Sequence, residues 1–206
     1  MNRFRFTLLA FCLVLGYLGW TDLSLTLGNP EPLPLDVRTE EVAAAPRQWL
    51  ILEGGRFDVL EAISTSGSIE LDALLIPLRA AGDPSVEALV ETRRPELLEF
   101  FRTYHFNLDS PLEKEAFVRQ HQPLLEQSVR VEGMLMSGAI ESSNRDKLIK
   151  LAREADIALP QDIPLFSEGK TPPKYRGFFF AAMALLGFLR FLGIMRKQAQ
   201  GPTSSP

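Results

Sequence analysis

The chain holds two imidazoles, His105 and His121, sixteen residues apart and both in or beside a helical stretch. A metal site built on them needs both rings on one centre, with carboxylates such as Asp109 or Glu113 completing the shell. No paired motif such as HExxH supplies that geometry. Ordinary helix-end histidines are the simpler account, and neither is assigned as a ligand. Ser64, Ser66 and Ser68 surround Gly67 without the GxSxG pattern of a nucleophile elbow, so a polar turn is expected. Gly54-Gly55-Arg56 resembles a phosphate cradle only in its two glycines. Neither GxGxxG nor GxxxxGK[ST] is present, and a turn is again expected. Cys12 is the only cysteine, which excludes internal disulfides and thiolate zinc sites. Carboxylates are abundant, and most form a solvated face with no pair that stands out. The sequence thus assigns no catalytic residue, cofactor or metal.

Charge separates the chain into a body and two ends. All 26 Asp and Glu residues lie between Thr21 and Arg176, with 17 of the 22 Lys and Arg, so this segment carries about −9. The ends carry cations alone: Arg3 and Arg5 at the front, Arg190, Arg196 and Lys197 at the back. An acidic body argues against a nucleic-acid partner, because phosphate contact needs a basic surface.

The ends are also the most apolar stretches. Gly177 to Met195 reads GFFFAAMALLGFLRFLGIM, with Arg190 the single charge. As a helix it spans roughly 28 Å, near the hydrocarbon thickness of a bilayer, and the long stem of Arg190 reaches the polar boundary. Phe6 to Trp20 forms a second, shorter run behind Arg3 and Arg5. It has the layout of a signal peptide, but Tyr17, Trp20 and Asp22 stand where small cleavage-site residues belong, so an uncleaved anchor is expected. Cations outside both spans predict a hairpin with both termini cytoplasmic and the acidic body on the far side. In a bacterium the membrane would be the cytoplasmic one and the body periplasmic or extracellular. Gly177, Ala181 and Gly187 are small enough for close packing against the first span.

Between the anchors the patterning predicts an α+β domain of short strands, in a mixed or antiparallel sheet, with several amphipathic helices. The expected organisation is a cytoplasmic N-terminus over residues 1–5, a first transmembrane helix over 6–20 and a Pro-rich extended spacer over 21–45. The domain occupies 46–171, with a linker over 172–176, the second transmembrane helix over 177–195 and a cytoplasmic tail over 196–206. Within the spacer, Asp22 to Leu27 alternates polar and apolar residues as an extended segment would, and Pro30, Pro32 and Pro34 stiffen the stretch from Gly28 to Asp36. Trp49 to Glu53 reads as a strand ended by Gly54-Gly55, with Asp58 and Glu61 at capping-box spacing behind it. Ile69–Leu78 and Val86–Val90 read as a hairpin around the turn at Ala80–Ser85. Pro95 and Ser110-Pro111 open two helices, the second ending before Pro123. Val129 to Met136 reads as a strand bulged at Gly133, Ser143 to Asp146 as a helix start, and Ile163 to Phe166 as a last strand.

Two anchors, a stiff spacer and no catalytic motif favour a noncatalytic, membrane-tethered interaction or assembly protein whose body binds a protein partner near the lipid bilayer. The alternative is an anchored envelope hydrolase using carboxylates or His105 and His121.

Overall fold

The computed structural model describes residues 2–64, 72–136, 149–150 and 163–199. They divide into two compact units, Met1–Pro30 with Pro172–Pro206, and Glu31–Thr171.

The first unit is a pair of long helices, α1 (Asn2–Gly28) and α5 (Arg176–Ala199). Both contain a stretch long and apolar enough to cross a membrane, Phe6–Gly28 and Arg176–Arg196. They run antiparallel and meet along small residues. A Cβ on Gly19 would lie 2.8 Å from the Ala181 nitrogen, and one on Gly187 2.5 Å from Cys12 Sγ. Backbones can approach this closely only where no side chain intervenes. At one end the Arg176 guanidinium grips Asp22 with both arms, at 2.7 and 2.9 Å. Outside the seam, Phe178, Phe179, Leu186 and Leu189 stand exposed.

Asp22 to Leu27 is a correction to the sequence expectation, since it continues α1 as helix and is neither extended nor a strand. Ser24 and Thr26 turn their hydroxyls back to the carbonyls of Trp20 and Asp22, at 2.7 and 2.9 Å, so they occupy the preceding turn instead of breaking it. Asn29 ends the helix, its side-chain amide donating to the Leu25 carbonyl at 2.8 Å.

The second unit is built on seven strands: β1 (Leu33–Asp36), β2 (Trp49–Phe57), β3 (Ile63–Ser64), β4 (Leu74–Ala80), β5 (Val86–Thr92), β6 (Val129–Leu135) and β7 (Leu165–Glu168). Five of them close on themselves in the order β2-β6-β7-β5-β4 and back to β2. All neighbours in this ring are antiparallel except β5 and β7. The helical connection between β5 and β6 completes the connectivity of a five-stranded Greek-key barrel of the OB type. The sheet is mixed, one of the two arrangements that the patterning allows.

Long β2 makes closure possible. One of its edges pairs first with β1, over Leu50 to Glu53, and then with β4, over Gly55 to Phe57. The handover falls at an irregularity between Leu52 and Gly55, where Gly54 takes φ +77°. A bulge at that point bends the strand around the barrel. The sequence expectation that Gly54-Gly55 ends the strand is therefore corrected: the pair lies inside it. The bulge predicted at Gly133 is corrected too, since Gly133 stays in register with Leu50 and Glu168.

The proline segment is likewise not all spacer, because Leu33–Asp36 pairs in parallel with β2. The Val37 N–H donates to the Glu53 carbonyl, so strand alternation turns Pro34 the other way, where its missing donor breaks no ladder bond. Pro77 is tolerated inside β4 for a similar reason. Its carbonyl accepts from the Asp58 N–H, so its nitrogen faces that same side and not β5.

The barrel interior holds Leu50, Leu52, Leu74, Ile76, Leu78, Val90, Val131 and Phe166, and α2 (Pro95–Arg102) adds Leu97, Phe100 and Phe101 to the same core. A smaller cluster of Leu75, Val86, Leu89, Ile149, Ile163 and Leu165 packs separately from it. The β4–β5 hairpin is present in the predicted place, with Ile76 opposite Val90. Residues 69–71 and the helix expected to open at Ser143 fall outside the described residues. Strands β2 and β6 are antiparallel neighbours in the barrel, with Glu132 of β6 opposite Ile51 of β2.

Candidate functional site

Beyond its bulge, β2 carries Arg56 outward and Phe57 inward. The chain then enters a 3-10 turn, Val59–Glu61, that buries Val59 and leaves Leu60 41% exposed. Sequence spacing predicts that Asp58 and Glu61 cap this turn, but Asp58 makes no side-chain cap bond. Both carboxylates bind Arg79 of β4 instead, Asp58 at 2.9 Å and Glu61 at 2.6 Å. Arg79 also donates to the carbonyl of Pro84. With a side chain only 17% exposed, it ties the turn to the β4–β5 hairpin.

The facing wall comes from α3 (Pro111–Gln120) and α4 (Gln122–Glu126). Ser110 and Pro111 start α3 as predicted, and Pro123 falls in the first turn of α4, where a missing N–H is tolerated. An aromatic group sets the wall in place: Phe100 of α2 lies 5.1 Å from Phe117 and 5.6 Å from His121. Between turn and wall is a cleft of about 390 Å³ lined by both elements. Phe57, Val59, Leu60, Val118 and Leu125 make its apolar part, while Arg56, Asp58, Arg119, Gln122 and Glu126 supply the polar groups. Arg94 stacks its guanidinium over the Phe57 ring at 5.6 Å, an attraction between cation and ring face. A second cleft of about 500 Å³ shares Arg56 and Asp58 with the first.

The two histidines belong to the aromatic group. His121 packs on Phe117, and its Nδ1 lies 2.9 Å from the Phe117 carbonyl oxygen. His105 sits on a π turn, Thr103–Asn107, with its ring 4.3 Å from Phe101. Burial, helped by the positive charge of Lys114, pushes the His105 pKa down and favours the neutral ring. Among the described residues no carboxylate hydrogen-bonds to either imidazole, and no group of three or more His, Cys, Asp or Glu gathers as a metal shell. Ser64 lies in β3, while Ser66 and Ser68 fall outside the described residues. Gly54-Gly55-Arg56 is strand and not a turn, a further correction.

One other polar cluster joins β5 to β7. Thr92, 1% exposed, donates to Glu168 at 2.5 Å, and Arg94 donates to the same carboxylate at 2.7 Å. Ser167 donates to Glu91 at 3.0 Å. Each carboxylate is occupied by donors from a neighbouring strand or from the start of α2, which makes the cluster a latch between the parallel strands.

The sequence does not point to the cleft. Its lining comes from two segments nearly sixty residues apart, and the Asp58–Glu61 spacing that could have marked it has the same form as a helix cap.

Set against protein-family models, curated proteins and solved structures, the chain matches none of them.

Proposed function

We propose that this chain is a noncatalytic, membrane-anchored interaction or assembly protein. Its two apolar helices lie in the bilayer as a hairpin and its barrel binds a partner protein on the extracytoplasmic side. The observation that carries this reading is the helix pair. Its small-residue seam satisfies one face of each helix, while the large apolar side chains Phe178, Phe179, Leu186 and Leu189 remain uncovered. In water such a surface would be a strong aggregation hazard, and in lipid it is solvated. The orientation rests on the cations at Arg3, Arg5, Arg196 and Lys197, which favour the cytoplasmic side. A binding role for the barrel is supported by a cleft that combines an apolar floor with separate charges.

The test is purification of the intact protein from membranes in mild detergent. A membrane or envelope protein recovered in fixed proportion, and lost on Leu60→Glu substitution in the cleft, is the expected result. A lone, monodisperse protein that turns over an envelope substrate would overturn the reading.

A further inference from the structure

We propose that the cleft between the Val59–Glu61 turn and the α3–α4 wall receives a short segment of the partner protein. That segment carries apolar residues between a carboxylate, taken by Arg56, and a cation, taken by Glu126. The assignment deepens the interaction reading above and rests on it.

The cleft's charges fall into two sets. Asp58 is ion-paired with Arg79 at 2.9 Å, a cation it shares with Glu61, and Arg119 is ion-paired with Glu115 at 2.5 Å. Arg56 and Glu126 are in no ion pair among the described residues. The Arg56 side chain is exposed and makes no hydrogen bond there, while Glu126 accepts only from the neutral amide of Gln122, at 2.7 Å. An uncommitted cation and an uncommitted anion therefore border one apolar floor. A wholly acidic or wholly basic ligand would meet one like charge there, whereas a dipolar segment meets two opposite ones. A volume of about 390 Å³ suits a few side chains and not a domain face. The second cleft, sharing Arg56, gives the segment a path onward.

The experiment uses the full chain in phosphatidylcholine nanodiscs and fluorescence anisotropy. The probe is a fluorescein-labelled pool of six-residue peptides with Glu first, Lys last and the central four positions drawn from Ala, Val, Leu and Phe. Two further pools replace Glu or Lys by Gln. The dipolar pool should bind, and Arg56→Gln or Glu126→Gln should each weaken it about three- to tenfold. In the Arg56→Gln protein, replacing the peptide Glu should cause no additional loss, as a direct contact requires. Unchanged melting temperatures confirm that these exposed substitutions leave the fold intact. No binding by the dipolar pool, or equal weakening of all three pools by Arg56→Gln, overturns the assignment. If that happens while the partner still co-purifies, the interaction reading stands and only the cleft is wrong.

Discussion

Asp36 and Arg38 form a forked pair directly over Gly54, so two near-neighbours in β1 and its exit and a glycine sixteen residues further on depend on one another. A Cβ on Gly54 would collide with the Asp36 carboxylate and lie 2.7 Å from Arg38 Nε, and its φ of +77° already disfavours any other residue. Gly54→Ala should destabilise the barrel by about 1–3 kcal/mol, measured by denaturant unfolding of the full chain in detergent. Side-chain and backbone hydrogen bonds from Arg38 hold the Asp36 carboxyl at about 2, against an ordinary 3.8. The folded state thus binds the proton less readily than the unfolded chain. The pair's contribution is complete above pH 3.8 and disappears as pH falls through about 2. The melting temperature of Asp36→Asn should lie below that of the native chain at pH 5 to 7, and the two should converge near pH 2. A constant offset across that range would refute the linkage. None of this is legible in the sequence, because Gly54-Gly55 looks the same whether it ends a strand or bends one.

At the scale of elements, local patterns are legible where the element depends on its own residues. The apolar helices, the β4–β5 hairpin and the starts of α2 and α3 come from periodicity and from Pro or Ser at first positions. Sequence and structure part where a partner far along the chain decides. Leu33–Asp36 becomes a strand because β2 offers an edge, and Asp58 and Glu61 turn to Arg79 because β4 brings it near. Arg79→Met would leave both carboxylates without their partner and loosen the turn, at about 1–3 kcal/mol. The corresponding fall in urea midpoint checks this. In the helix pair, Gly19→Leu forces a side chain against the Ala181 backbone, 2.8 Å away at its first carbon. The helices must then separate, and cysteines placed at Gly16 and Ala184 in a Cys12→Ala background should cross-link less than they do with Gly19 intact.

For the molecule as a whole, a closed barrel gives the body a core that stands by itself. Phe166 is fully buried at its centre, and Phe166→Ala should cost about 3–5 kcal/mol. Closure itself is not readable from the sequence, since it depends on one nine-residue strand changing partners midway. The division into apolar ends and an acidic middle is readable, because solvent preference is a property of composition. The most direct test of the account uses a Cys12→Ala chain bearing one new cysteine, either at Leu112, which is 78% exposed on α3, or appended after Pro206. Intact cells with the outer layer removed are treated with a membrane-impermeant maleimide. The account predicts labelling of the Leu112 position in sealed cells, labelling of the appended cysteine only after lysis, and both proteins in the membrane fraction. Labelling at Leu112 only after lysis, or recovery of the chain in the soluble fraction, would contradict it.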